Sequence, residues 1–420
     1  MIEASESLLP RKRSGTPKAL IPVCFSHETA QEFVRLLETL SIPIIEPYIV
    51  SLKQIHPGTY LTQGKLESVH ELATQHQVEG VAFDADLTPN QLKNLEKKLK
   101  ISVIDRAGVI LEIFSQNAKS KEAKTQVELA KLQYLMPRLS HYWSHFERQR
   151  GGGAWNKGMG EKQIEVDRRL VQKRINRLKL RLEKIQKDRV IQRSGRQDIF
   201  KVALVGYTNA GKSTLLNQLT LSNAKAEDQL FATLDSMVRA LDPDSHPPIV
   251  AIDTVGFISR VPAHLVASFR STLEELDDAD LLVHVVDGSS LTARKELETT
   301  VETLEQLGLS QKDRVTVINK CDQLSAQELN QARLIHPGAH LVSAFQRNQV
   351  QALRNSILDH FRSKMELWEV VIPYDQSKIS SQLHRYGYIE KKEYIQKGIF
   401  FQVRMHEAWA KRLELKKFTP

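Results

Sequence analysis

Cysteine is nearly absent: Cys24 and Cys321 are the only two in 420 residues. Two thiols cannot staple a small secreted scaffold, and such sparing use fits a reducing compartment. Long apolar runs are missing as well. The richest, Leu281-Leu282-Val283-His284-Val285-Val286, falls far short of the ~20 residues that a membrane span requires. The first thirty residues hold no apolar signal core and are interrupted by Arg11-Lys12-Arg13. No fixed-period repeat is visible. What remains is a soluble, cytoplasmic protein with no integral membrane segment. Its 59 Lys and Arg against 50 Asp and Glu give a net charge of +9. That excess is local: residues 148–197 carry sixteen Lys or Arg against five Asp or Glu, and the rest of the chain is slightly acidic. A basic stretch of this kind points to a polyanionic partner.

The pattern along the chain is α/β and multidomain. Residues 1–17 are expected to form a flexible basic tail. From 18 to 121, β-prone runs (Ala19–Phe25, Ile42–Val50, Val81–Phe83, Ile101–Ile104) alternate with helical spacing, which predicts an N-terminal parallel α/β domain. Residues 122–197 are expected to form an antiparallel helical hairpin. Leu129, Leu132, Met136, Leu139, Trp143 and Phe146 line its first arm, which Pro137 should kink. Val171, Ile175, Leu178, Leu182 and Ile185 line the second, and a glycine-rich tip, Gly151–Gly160, joins the two. A seam this short favours an intramolecular hairpin over a free coiled coil, hence a monomer. Residues 198–363 resume α/β alternation, and 364–420 predict a small α+β domain. His141 and His145 stand four apart on the first arm, but no third metal ligand accompanies them.

Chemistry concentrates in the fourth segment. Lys201–Val205 predicts a strand, followed by Gly206-Tyr207-Thr208-Asn209-Ala210-Gly211-Lys212-Ser213 and then a helix beginning Thr214-Leu215. Strand, GxxxxGKS and helix together make a phosphate-binding loop. Its backbone N–H groups and helix N-terminus face phosphates, Lys212 is expected to bridge the β- and γ-phosphates, and the Ser213 hydroxyl is expected to ligate Mg²⁺. A second strand ends in Asp253-Thr254-Val255-Gly256. Asp253 is expected in the Mg²⁺ shell, and the Gly256 amide is expected to sense the γ-phosphate. A third ends in Asn319-Lys320-Cys321-Asp322, whose carboxylate can take two hydrogen bonds from guanine and none of that kind from adenine, selecting GTP over ATP. Ser343-Ala344 fit a loop that reads guanine O6 through its backbone.

Taken in order, these motifs resemble a translation-factor-type GTPase. The resemblance implies that Thr233, within Phe231-Ala232-Thr233, completes the Mg²⁺ shell when GTP is bound, and that Lys212, Thr233 and Gly256 are the catalytic contacts. Where Ras-like relatives carry a water-orienting glutamine, this chain has Phe257, so hydrolysis of GTP to GDP should be slow unaided. Some relatives with Asn at the position of Asn209 use K⁺ as an extra charge.

The flanking residues Gly160-Glu161-Lys162-Gln163-Ile164-Glu165-Val166-Asp167-Arg168-Arg169 resemble the signature of HflX-type GTPases. So do Asp86–Glu96, Val103–Arg106, Gln126–Ala130 and Phe269–Glu275. That resemblance implies binding to the large ribosomal subunit and, in some members, splitting of stalled ribosomes. The hairpin would meet rRNA through Arg150, Trp155, Asn156, Lys157, Arg168, Arg169, Lys173 and Arg174. Trp155 can stack on an unpaired base or pack on the hairpin itself. The rival function is a GTP-controlled scaffold that docks a protein partner through the hairpin.

Overall fold

The computed structural model describes residues 8, 19–78, 80–139, 157–194, 199–220, 230–231, 233, 237–241, 246, 248–260 and 275–420, with side chains of the long helix described over 165–188. The chain divides into two bodies. One holds residues 1–187 with 229–234 and 260–270; the other holds 188–228, 235–259 and 271–420. No helix among the described residues is long and apolar enough to cross a membrane.

The first body is built on four parallel strands: β1 (Leu20–Cys24), β2 (Tyr48–Ile49), β3 (Gly80–Phe83) and β4 (Ser102–Asp105), in the order β2-β1-β3-β4. Its helices are α1 (His27–Thr39), α2 (Gln63–Gln75), α3 (Pro89–Leu99), α4 (Arg106–Asn117) and α5 (Lys121–Leu135). β1 is buried throughout, as a strand covered on both faces must be. The run Ile42–Val50 yields only two strand residues rather than a full strand. Pro43 and Pro47 each lack an N–H, and a parallel ladder cannot run through them. Ile45 nonetheless donates its N–H to Leu20 O at 2.9 Å.

At Pro137 the helix tightens: α5 ends at Leu135 and passes into a 3₁₀ turn over Met136–Arg138. Helix α6 (Lys157–Ser194) is thirty-eight residues long. Val171, Ile175 and Leu178 on it share one apolar cluster with Leu129, Leu132 and Leu139, so the two apolar stripes do meet. Trp143, Phe146, His141, His145 and most of the glycine-rich tip lie outside the described residues.

The second body has a six-stranded sheet in the order β10-β9-β8-β5-β7-β6. Its strands are β5 (Phe200–Gly206), β6 (Met237–Ala240), β7 (Ile249–Asp253), β8 (Leu281–Asp287), β9 (Arg314–Asn319) and β10 (His340–Leu341). All run parallel except edge strand β6. Helices α7 (Lys212–Leu219), α8 (Ala293–Gln306), α9 (Ala326–Ile335) and α10 (Arg347–Lys364) accompany it. His284 sits mid-strand in β8, 1% exposed, and burial pushes its pKa down to about 3. A three-stranded antiparallel sheet closes the chain: β11 (Glu366–Ile372), β12 (Gly387–Ile395) and β13 (Gly398–Met405), with β13 central. Val370, Phe401, Val403 and Met405 point to one face and pack with Trp409 and Leu415.

Candidate functional site

The six-stranded sheet delivers its three motifs at the carboxyl ends of β5, β7 and β9, the edge of a parallel sheet where ligands are taken. β5 is hydrophobic on both faces and feeds straight into the loop Gly206–Gly211. Asn209 adopts a left-handed φ of +62°, which its short polar side chain tolerates. Gly211 follows at φ +86°, and a Cβ there would lie 2.3 Å from the Asn319 amide nitrogen. Only glycine fits, and α7 starts directly after it.

Lys212, 6% exposed, donates from Nζ to the carbonyls of Gly206 (3.1 Å) and Tyr207 (2.8 Å). Burial lowers its pKa to about 8, opposed by the attraction of Asp253. The Ser213 hydroxyl donates to Asp253 Oδ2 at 2.6 Å, so the sheet brings the two expected metal ligands together although forty residues separate them. A hydroxyl and a carboxylate side by side at a helix N-terminus are hard oxygen donors, and they fit Mg²⁺.

Beyond Asp253, the buried Thr254 hydroxyl anchors the turn to Leu204 O at 2.6 Å. Gly256 follows, wedged so that a Cβ would stand 2.7 Å from Thr208 Cγ2 and 2.9 Å from Lys212 Nζ. Phe257 then zips to the phosphate loop: its N–H donates to Gly206 O (3.1 Å), and its carbonyl accepts from Thr208 N–H (2.7 Å). Its ring is buried with Ala203, Val205, Ile252 and Leu282. A side chain sunk in that cluster cannot orient water, as the sequence indicated.

At the base end, buried Asn319 ties two loops together. Its Nδ2 donates to Ala210 O at 2.9 Å, and its Oδ1 accepts from Ala344 N–H at 3.2 Å. Lys320 is left-handed (φ +60°), and its ammonium pairs with Asp287 at 2.7 Å. Asp322 stays exposed, with its carboxylate available to a base. Ser343 is fully buried, and its N–H is taken by Gln349 Oε1 at 2.7 Å. Asp287 and Gln349 were not anticipated. Asp287 closes a β-run and precedes Gly-Ser-Ser, a signal of the same kind as Asp253, whereas nothing local marks Gln349.

Other expected residues belong to the first body or lie outside the described residues. Phe231 and Thr233 fall in the first body, where the Phe231 ring meets Phe114 edge-on at 4.7 Å and its carbonyl accepts from Asn117 Nδ2 at 2.8 Å. Ala232 lies outside the described residues, as do Arg150, Trp155 and Asn156; Lys157 is described as helix without its side chain. Arg168, Arg169 and Lys173 are exposed on α6. Arg174 is instead half-buried and pairs with Glu128 of α5, Nε to Oε1 at 2.6 Å.

Comparison with known proteins matches three successive stretches to family models. Residues 27–115 match the GTP-binding GTPase N-terminal family, 117–196 the GTP-binding GTPase Middle Region, and 201–320 the 50S ribosome-binding GTPase family. Among curated relatives, GTPase HflX of Magnetococcus marinus is 40% identical over 88% of this chain and 85% of its own. GTPase HflX of Chlamydia pneumoniae is 36% identical over 98% of this chain and 89% of its own. GTPase HflX of Escherichia coli K12 is 35% identical over 95% of each. Of solved structures, the SsGBP and GDP complex is 25% identical, covering 81% of this chain and 97% of that one at a TM-score of 0.46.

Proposed function

Because this chain belongs to the HflX family of GTPases, whose members bind and hydrolyse GTP, we propose that it is a cytoplasmic switch whose GTP form binds the large ribosomal subunit and its rRNA. The observation that carries this reading is the exposed basic face of α6. Arg168, Arg169, Lys173, Arg177 and Lys179 stand in solvent with few acidic neighbours, and phosphates are what such a face neutralises. Splitting of stalled ribosomes follows as the outcome of seating a rigid arm in an rRNA centre.

The site's own residues set the chemistry. Lys212 and the loop N–H groups hold the β- and γ-phosphates, and Asp322 with the backbone of the Ser343–Ala344 loop reads guanine. Ser213, Asp253 and Thr233 would hold Mg²⁺, which supplies charge neutralisation to the phosphates when bound. Asn209 would hold K⁺ for the same purpose. With Phe257 buried, no side chain at that position places the attacking water. Turnover is therefore slow until the ribosome orders the site.

Co-sedimentation tests the reading. Protein loaded with a non-hydrolysable GTP analogue should pellet with large subunits at moderate salt, and Arg168→Glu with Arg169→Glu should abolish it. Failure of the unaltered protein to pellet overturns the ribosomal assignment. Turnover compared in KCl and NaCl tests the Asn209 proposal, and equal rates remove it.

A further inference from the structure

β8 and β9 run side by side in the second body, and their last residues, Asp287 and Asn319, face each other in register. The alignment continues one residue past β8, where Gly288 N–H donates to Asn319 O at 2.9 Å. A Cβ on Gly288 would lie 2.8 Å from Ile318 Cγ2 and 3.0 Å from Asn319 O, so the two chains leave the sheet in contact. The carboxylate that ends β8 therefore stands beside the Asn319–Asp322 motif, although α8 and β9 separate them along the chain.

Each oxygen of Asp287 has its own task. Oδ1 accepts from the Ser289 N–H (2.9 Å) and hydroxyl (2.6 Å), which fixes the carboxylate on its own turn. Oδ2 takes the Lys320 ammonium at 2.7 Å. The two side chains are only 14% and 23% exposed, so the pair is shielded from much of the solvent that weakens surface ion pairs. Lys320 is also the residue at which the backbone turns. Its φ of +60° is left-handed, which a residue with a Cβ rarely adopts unless its surroundings hold it there. Its carbonyl accepts from Gln323 N–H at 3.0 Å, closing the 3₁₀ turn Cys321–Gln323 that carries Asp322. Asp287 holds the other end of that same residue.

We propose that Asp287, acting through Lys320, is a positioning residue for guanine: it holds the turn that presents Asp322 to the base. This rests on Asp322 being the base reader. Relaxation of Lys320 toward a right-handed backbone would redirect its Cβ and draw the ammonium away from Asp287. The ion pair opposes that, so Asp322 meets the base already oriented, and ordering that binding would otherwise cost is complete on folding. The tether acts on the base, which GDP and GTP share. It sets how long either nucleotide stays and leaves the difference between them alone.

The test measures release of fluorescently labelled GDP and of a labelled non-hydrolysable GTP analogue from the full chain with Mg²⁺. The variants are Asp287→Asn, Lys320→Met, the two together, and Asp322→Asn, each checked for folding by thermal unfolding. Asp287→Asn keeps the oxygen that Ser289 uses and replaces the one that Lys320 uses. It should speed release of both nucleotides by the same factor, roughly tenfold. Lys320→Met keeps the stem, removes the charge and should do the same. The double variant should release no faster than the faster single one, because each change removes half of one contact. Preference for GDP over inosine diphosphate, which lacks the 2-amino group, should fall in Asp287→Asn as Asp322 loses its aim. Should Asp287→Asn fail to fold, Lys320→Met reads the same release rates and the same base preference. Unchanged release, additive effects in the double variant, an effect on one nucleotide only, or an unaltered base preference overturns the tether. Asp322→Asn separates the premises: if it does not shift preference toward xanthosine diphosphate, the base-reader assignment fails and takes the tether with it. If it does while Asp287→Asn leaves release unchanged, the tether alone fails.

Discussion

Two buried bases in the second body have opposite consequences for pH. Lys212, with a pKa near 8, is charged below that pH and increasingly neutral above it. Bound phosphates favour its charged form, so nucleotide binding above pH 8 must draw a proton from solution. GTP affinity should hold up to pH 8 and then fall, by at most about tenfold per unit. Calorimetry at pH 8.5 in buffers of different ionisation heat should report that uptake. His284 works on stability instead. Its folded pKa of about 3 lies below the ordinary histidine value, so between roughly pH 6.5 and 3 the unfolded chain binds a proton that the native state refuses. Stability should decline as pH falls through that window. His284→Leu should flatten the decline in chemical-denaturation curves, and its Nε2 has no hydrogen-bond partner among the described residues to lose.

Among the elements, the pairing of α5 with α6 is the most exposed to mutation. Ile175 is 3% exposed in a small cluster that few other residues can refill. Ile175→Ala should cost about 2–4 kcal/mol, read as a lower midpoint in denaturant for the first body. That stripe was legible in the sequence because helical periodicity repeats within a few residues. The phosphate loop was legible for the same reason: GxxxxGKS fixes its conformation locally, and Asp253 and Asn319 announce themselves at strand ends. The strand expected over Ile42–Val50 shrinks to Tyr48–Ile49 because Pro43 and Pro47 interrupt a run whose apolar content alone favours a strand. What stayed hidden was long-range. Arg260 meets Asp84 across 176 residues, and Asn319 meets Ala210 across 109. No spacing rule encodes such partners. Arg174 shows the converse: it reads as one more free cation on a basic helix, and its pairing with Glu128 emerges only when two helices are laid together.

At the scale of the molecule, a chain that divides into two bodies, each with its own apolar clusters, should not unfold as one unit. Calorimetry should resolve two transitions. Saturating GDP should raise the one belonging to the body with the phosphate loop, by several degrees at a hundredfold excess over Kd. A single transition, or two that move together, would show the bodies to be cooperative. The uneven charge has a further consequence, for approach rather than for grip. Sixteen cations sit within fifty residues of a chain that is otherwise faintly acidic. In the field of a large polyanion such a molecule feels a torque as well as a pull. It is turned before contact, basic helix foremost, and the search over orientations that limits most docking is already narrowed when the two surfaces touch.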